Sequence, residues 1–164
     1  MAPSRRVRIV VNSLKDFLNQ LIKAIVLDIV ANLKKAPQEG GTPVDTGWAR
    51  ANWVPKIAAA HEGVVGSRDA AEAGNINEGV SQSGVASVAA GYKTPQGPVH
   101  ITNNVPYIVY LNEGSSKQAP SGFVQAAIIK AITFDLPKKL GGGATPKGRP
   151  PRDPVTGRFL PRRG

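Results

Sequence analysis

The segment TPVDTGWARANW, residues 42–53, holds the side chains with the clearest chemical potential in this chain. Asp45, Thr46 and Gly47 form an Asp-Thr-Gly triplet, which aspartic proteases use to present a catalytic carboxylate. The same triplet also suits a turn, because Asp can cap nearby amides and Gly permits a positive φ. The choice between these interpretations decides whether the chain is expected to be an enzyme.

The protease interpretation requires more than one triplet. Two aspartates must share a proton, so that one acts as an acid and the other as a base. Pro43 interrupts the strand expected before the triplet, Trp48 stands where a small residue is usual, and Val-Val-Gly at 64–66 follows too soon for a pepsin-like half. A homodimer could supply the second Asp45, so a dimeric aspartic protease stays open as an alternative.

The structural interpretation needs nothing beyond the segment itself. Thr42 and Pro43 set an extended entry, Asp45 caps the next turn, and the two tryptophans anchor the turn to the core. The predicted structural turn consists of Pro43, Asp45, Thr46, Gly47, Trp48 and Trp53. We favour this interpretation and expect no catalysis.

Other chemistry is sparse. His61 and His100 have no carboxylate at ligand spacing, and the absence of cysteine excludes disulfides, thiolate zinc sites and a Cys nucleophile. The glycines at 141–143 lack the Lys-Ser/Thr of a phosphate loop. No apolar run reaches the roughly 18 residues of a membrane span. We therefore expect no metal, no cofactor and no membrane partner.

The net charge of +10 is confined to the two ends of the chain. Three arginines give residues 1–10 a charge of +3, and eight Lys/Arg against Asp153 give residues 137–164 a charge of +7, so residues 11–136 are neutral. Basic ends of this kind seek acidic protein surfaces or nucleic acid, and a tail that only increases solubility is the alternative.

A long first helix is predicted over residues 13–35. Its apolar residues follow the three-four spacing of one helix face: Leu14, Phe17, Leu18, Leu21, Ile22, Ile25, Ile29 and Leu33. Ser13 with Asp16 resembles a capping box, and Pro37 should stop the helix. The stripe is wider than a surface helix requires, which indicates packing on both a sheet and a neighbouring subunit.

The middle of the chain is predicted to hold the strands. Residues 52–66 favour strand with a hairpin-type turn at 61–63, and two further strands are predicted at 85–92 and 98–103. Residues 67–84 are polar and small, so we expect a mobile loop excursion there.

A short helical turn and a second helix follow. The turn lies within 105–116, and its inward-facing side chains are predicted to be Tyr107, Tyr110 and Leu111. Ser121 should cap the second helix and Pro137 should end it. The predicted buried side consists of Phe123, Ala126, Ala127, Ala131, Ile132 and Phe134.

The predicted organisation is a basic segment 1–12, one domain 13–137 and an extended basic arm 138–164. The arm has too few apolar residues to repay its ordering entropy alone, so we expect a partner to order it. We predict that its arginines pair with acidic grooves on that partner while an apolar pair fills a pocket there. The docking residues are Arg149, Arg152, Arg158, Phe159, Leu160, Arg162 and Arg163.

The ordered series of motifs resembles the tail-completion, or head–tail connector (neck), proteins of long-tailed bacteriophages. After the long helix come PVDTGWARANW (43–53), ITNNVPYIVYLNEGSS (101–116) and APSGFVQAAI (119–128). The family's core motif falls on Asn104, Pro106, Tyr107, Tyr110, Glu113, Gly114, Pro120 and Phe123.

The resemblance implies an α+β domain, with a small antiparallel sheet packed by the long N-terminal helix and a second helix near the C-terminus. It also implies a structural virion protein, assembled in the host cytoplasm, that forms a homo-oligomeric, hexameric ring at the head–tail junction. Expected partners are the portal or adaptor, tail-terminator or tail-tube proteins and genomic DNA in the lumen. The alternatives are a nucleic-acid-binding protein that uses its basic termini and the dimeric protease.

Overall fold

The computed structural model describes residues 4–142. Its helices and strands, in chain order, are α1 (Arg5–Leu33), α2 (Trp48–Ala51), β1 (Val54–Ile57), α3 (Arg68–Glu72), α4 (Gly79–Gly91), β2 (Val99–Thr102), α5 (Ile108–Asn112) and α6 (Phe123–Lys130). Short 3-10 turns lie at Pro37–Glu39 and Thr94–Gln96, and π-helical stretches at Ala131–Asp135 and Lys138–Gly142 continue α6. The predicted α+β class is confirmed.

Helix α1 begins well before the predicted start at Ser13, so that prediction is wrong. The Ser4 hydroxyl oxygen accepts a hydrogen bond from the Val7 amide at 3.4 Å and caps the helix. No Gly or Pro interrupts residues 5–12, so the helix runs on through Ser13 for 29 residues, about 43 Å. Residues 5–12, expected as a separate basic segment, are therefore the start of this helix.

The sheet consists of β1 paired antiparallel with β2, with Val54 opposite Thr102 and Ile57 opposite Val99. The hairpin predicted at 61–63 is wrong, because the partner of β1 comes only after α3 and α4. Val65 cannot extend a hairpin ladder here, since the side chain of Asn52 bonds both of its backbone groups.

The strand predicted at 85–92 is also wrong, because residues 85–91 belong to α4 and Tyr92 is its C-cap residue. Val85, Val88 and Tyr92 follow helical spacing, and the small residues between them suit a close helix–sheet contact. A Cβ at Gly84 would lie only 2.3 Å from the Pro55 carbonyl oxygen. The expected loop 67–84 holds α3 and the start of α4.

Two apolar clusters meet along the second half of α1. The first contains Leu33, Trp53, Phe123 and Ala127, and the second contains Val26, Val88 and Tyr92. Ile101 of β2 packs against both clusters. Helix α1 is therefore the element that joins the α6 side of the molecule to the α4 side.

Helix α6 runs antiparallel to α1. The Asn32 side-chain amide donates to the Ala127 carbonyl at 3.4 Å, and further along Lys139 forms an ion pair with Asp28. Gly122, with φ +78°, precedes the helix, so the predicted Ser121 cap is wrong.

The prediction that Pro137 ends the second helix is wrong, because the chain stays helical to Gly142. A proline ring clashes with the carbonyl four residues earlier in an α-helix, and the wider π-helical turn over Ala131–Asp135 relieves that clash. The first residues of the expected extended arm are therefore helical.

The buried face of α6 is narrower than predicted. Ala126, Ile132 and Phe134 are exposed rather than buried, because the buried face is formed by Phe123, Ala127 and Ala131.

Candidate functional site

The Asp-Thr-Gly triplet forms the turn that starts α2. Gly47 has φ +86°, a conformation that favours glycine, and the Thr46 hydroxyl oxygen accepts a hydrogen bond from the Trp48 amide at 3.3 Å. Asp45 is exposed, and within residues 4–142 its carboxylate accepts no hydrogen bond. The sequence-based hypothesis had Asp45 capping the amides of this turn, whereas in the structure Gly47 is the N-cap residue and Thr46 makes the local side-chain bond.

Both tryptophans are held through their indole N–H groups. Trp48 Nε1 donates to the Val65 carbonyl at 2.9 Å. Trp53 Nε1 donates to the Thr42 hydroxyl at 2.7 Å, and this hydroxyl donates in turn to the Leu33 carbonyl at 2.7 Å. The turn is thereby fixed at one end to the loop before α3 and at the other to the C-terminus of α1.

A cleft of about 240 Å³ lies between this turn and α5, and we call it the turn cleft. Trp48 and Tyr107 form one wall, with ring centroids 6.0 Å apart and planes inclined by 56°. Leu111 adds an apolar surface, and Asp45 and Arg68 lie at the polar side. The cleft is below the roughly 300 Å³ of ordinary small-molecule pockets, but a single side chain fits it.

The charges around the turn cleft are partly paired. Arg68 Nε donates to Glu72 Oε1 at 2.7 Å, and this bond raises the pKa of the guanidinium above its ordinary value. Burial raises the pKa of the Tyr107 hydroxyl, so that group stays neutral at physiological pH. Asp45 is the acidic lining residue that these bonds leave available.

Within residues 4–142, the turn cleft does not bring together the two carboxylates that an aspartic protease needs. Two carboxylates would have to lie within hydrogen-bond distance to share a proton. Among the residues described, no second carboxylate bonds Asp45. A second aspartate at this site would have to come from outside the described residues of this copy.

The expected core motif is only partly brought together. Tyr107 lines the turn cleft and Phe123 is buried against Trp53. Asn104 Nδ2 donates to the carbonyls of His61 and Gly63, both at 2.8 Å. Pro106, Glu113 and Pro120 are exposed, and Gly114, with φ +95°, follows α5. The prediction that Tyr110 packs inward is wrong, since it is 64% exposed on the outer face of α5.

Several polar residues that position the site were missed at the sequence level. Asn52 holds Val65, Asn103 Nδ2 donates to the Ala49 carbonyl at 2.8 Å, and the Gln118 side chain accepts the Val44 amide at 2.8 Å. Asn52 had one available signal, since it is a polar residue whose two sequence neighbours, Ala51 and Trp53, are both apolar.

A second missed feature is a polar seam between α1 and the C-terminal helix. Asn32 donates to Asp135 Oδ2 at 2.8 Å and accepts from Lys130 at 3.0 Å. The bond from Asn32 is the main cause that lowers the pKa of Asp135. Lys35 is the main cause that lowers the pKa of Lys130.

The first half of α1 carries an exposed apolar stripe. It consists of Val7, Val10, Val11, Leu14, Phe17 and Leu18, and we call it the α1 stripe. Exposure ranges from 37% at Leu18 to 66% at Val10. The body of the subunit packs on α1 mainly from Leu21 onward, so this stripe is left to solvent or to another molecule.

The docking residues predicted in the arm, Arg149 to Arg163, lie outside the described residues. Within residues 4–142, no group of His, Asp or Glu side chains is placed to hold a metal ion. The helices of that same range include none long and apolar enough to cross a membrane.

Comparison with protein-family models, curated proteins and solved structures gives no significant match.

Proposed function

We propose that the chain is a non-catalytic structural subunit of a bacteriophage virion, which forms a ring at the head–tail junction and joins the portal or adaptor to the tail tube. The α1 stripe is the observation that carries the proposal. The resemblance of the ordered motifs to neck proteins supplies the location.

The α1 stripe has the spacing of helices that pack along one another. Positions 7, 10, 14 and 17 alternate steps of three and four, and positions 11 and 18 widen the seam on one side. Exposing a contiguous apolar patch to water is unfavourable by roughly 25 cal/mol per Å². A stripe wider than a two-helix seam suits a subunit with two neighbours, as in a ring.

A ring needs a second, different surface on each subunit, because its interfaces join unlike patches. The groove between α1 and α4, about 400 Å³ and walled by Leu27, Val30 and Val85, is such an apolar surface. This groove lies on the second half of α1. One subunit therefore offers two different apolar surfaces, the α1 stripe and the groove, and the stripe of one subunit can pack into the groove of the next.

Native mass spectrometry and electron microscopy of the purified chain test the ring directly. For a 17.2 kDa chain, six copies give a closed particle of about 100 kDa with a central opening. A monomer at micromolar concentration would contradict the proposal.

A matched pair of variants shows whether the α1 stripe makes the contact. Val10→Glu with Leu14→Glu puts two charges into the stripe and should convert the ring to monomers. Asn12→Glu with Lys15→Gln changes the net charge equally on the polar face of the same helix and should leave the ring intact. Far-ultraviolet circular dichroism of both variants controls for loss of helix.

The location is tested in the phage that encodes the chain. A truncation lacking residues 141–164 should give full heads and free tails that do not join, and normal yields of infectious particles would contradict the proposal.

The protease alternative is tested with Asp45→Asn. A proteolytic activity that this variant loses without losing assembly would favour the protease instead.

Nucleic acid is a second candidate partner, because the exposed Arg5, Arg6 and Arg8 lie together at the free end of α1. Each phosphate contact adds about −0.9 to the slope of log affinity against log salt. A steep slope with a monomeric protein would favour this function over the ring.

A further inference from the structure

We propose that the turn cleft binds the apolar and basic group at Val155–Arg163 in the C-terminal arm of a second copy of this chain. This inference deepens the proposed function and rests on it, because the ring is what supplies the second copy.

The turn cleft has the shape and lining for one apolar side chain. Trp48, Tyr107 and Leu111 give it two aromatic surfaces and one aliphatic surface around about 240 Å³. Aromatic rings prefer tilted or offset neighbours, which the inclined Trp48 and Tyr107 planes offer to a third ring. The arm contains one aromatic residue, Phe159, and Leu160 follows it directly.

The charge at the rim of the cleft suits the same segment. The Arg68 guanidinium already donates to Glu72, whereas the exposed Asp45 carboxylate accepts no bond from residues 4–142. The arm places Arg158 immediately before Phe159, with Arg162 and Arg163 close behind. An aromatic anchor inserted beside Asp45 therefore brings a guanidinium to that carboxylate, and such pairs can be bidentate.

The path of the chain favours a neighbour's cleft over its own. Ala127 contacts Asn32, whereas Lys139 contacts Asp28, so the C-terminal helix runs toward the N-terminal half of α1. The turn cleft instead follows the C-terminus of α1, where Thr42 bonds Leu33. The chain therefore leaves the body toward the α1 stripe, where the next subunit packs in the proposed ring.

The length of chain beyond Gly142 is sufficient for this crossing. Phe159 comes 17 residues after Gly142, and an extended chain of that length spans about 55 Å. This exceeds the length of α1 itself, so an arm can pass from one subunit to the adjacent cleft.

The absence of cysteine from the whole chain allows a direct cross-linking test in the full-length protein. Ser116, which lines the turn cleft, is changed to Cys together with Leu160→Cys. The control joins Leu160→Cys with Ser87→Cys, the same exchange at an exposed position on α4. Mild oxidation should give a ladder of covalent dimers and larger species on non-reducing gels for the cleft pair only.

The other outcomes overturn the proposal. Equal cross-linking in the cleft pair and the control means that the arm does not select the cleft. A monomer of altered mobility means that the arm occupies its own cleft. Cross-links that are absent from an intact ring mean that the arm binds elsewhere, for example on a different virion protein.

A single-residue test addresses the anchor. Phe159→Ala in the cleft pair should reduce the initial rate of cross-linking about tenfold, the factor that corresponds to losing 1.4 kcal/mol of anchor contact. Thr145→Ala, which lies outside Val155–Arg163, should leave the rate unchanged in the same background. Equal rates in the two variants would contradict Phe159 as the anchor.

The native mass of the wild type without cross-linking reports the ring separately. Failure of the ring and failure of the arm contact are therefore distinguishable.

Discussion

Asn52 pairs with both backbone groups of Val65, since its Oδ1 accepts from the Val65 amide at 2.6 Å and its Nδ2 donates to the Val65 carbonyl at 3.1 Å. Trp48 donates to that same carbonyl. A buried side-chain amide thereby replaces a β-ladder partner and holds the loop after β1 against α2.

Replacing Asn52 should destabilise the fold strongly. Asn52→Leu keeps a similar volume but leaves the buried Val65 amide without a partner, which costs about 1–3 kcal/mol for such a group. Urea denaturation followed by tryptophan fluorescence measures the change. Asn75→Leu, at an exposed loop position, is the control and should stay within about 0.5 kcal/mol of wild type. Similar losses of stability in both variants would contradict the role of the Asn52–Val65 hydrogen bonds.

Two neighbouring residues of the Asp-Thr-Gly turn should differ in their contribution to stability, because Thr46 makes a side-chain hydrogen bond and Asp45 makes none within residues 4–142. Thr46→Ala should cost about 0.5–1.5 kcal/mol, the range for one lost hydrogen bond, whereas Asp45→Ala should cost less than about 0.5 kcal/mol. Gly47→Ala should cost about 1–2 kcal/mol, because a Cβ is strained at φ +86°. Thermal unfolding of the three variants side by side gives the order, and a larger loss for Asp45→Ala than for Thr46→Ala would reverse the assignment.

Two glycines of α4 should respond in opposite directions to the same substitution. Gly84→Ala places a methyl group 2.3 Å from the Pro55 carbonyl oxygen, so it must push α4 away from β1 at a cost of about 1–3 kcal/mol. Gly91→Ala meets no atom within 4 Å and should be neutral or stabilising by up to about 1 kcal/mol. Equal effects on the melting temperature would rule out this close contact.

The Asp135 carboxylate should stabilise the fold in a pH-dependent way. Its pKa lies below the usual 3.8, mainly because Asn32 donates to it and secondarily because of nearby lysines. A depressed pKa means that the stabilisation is complete above the unfolded-state pKa and is lost as pH falls through the folded-state pKa. The stability difference between wild type and Asp135→Asn should therefore stay constant from neutral pH down to about 4 and shrink as the pH falls below that value.

A double-mutant cycle identifies the source of that pH dependence. In an Asn32→Ala background, Asp135→Asn should have a smaller effect at neutral pH, because the main hydrogen bond to the carboxylate is already gone. An undiminished effect would assign the pKa shift to the lysines instead.

The long helix, β2, the α5 turn and the start of α6 were predictable, because each has a sustained apolar period or a clear turn signal. Residues 85–92 were not, since a short run of Val, Ala and Ser fits both strand and helix spacing. The close packing of Gly84 on Pro55 favours the helix over the strand, and this contact exists only in the folded molecule.

The turn was predictable from Pro43 and Gly47, but the groups that hold it were not. Asn52 and Thr42 form their bonds with Val65, Trp53 and Leu33, and only the tertiary fold brings these groups together. The exposure of Tyr110 was missed for the same reason, because the orientation of α5 on the core is not encoded in its five residues.

The pairing of α1 with the C-terminal helix has a consequence for synthesis of the chain. The contacts that close this side of the core join residues 95 to 111 positions apart, from Asn32 and Asp28 to Ala127 and Lys139. At a translation rate of about 5–20 residues per second, α1 is made about 5–20 seconds before its packing partner. During that interval the α1 stripe and the inner face of α1 are both uncovered. Nascent chains on one polysome can therefore meet through α1 before any of them has completed its core.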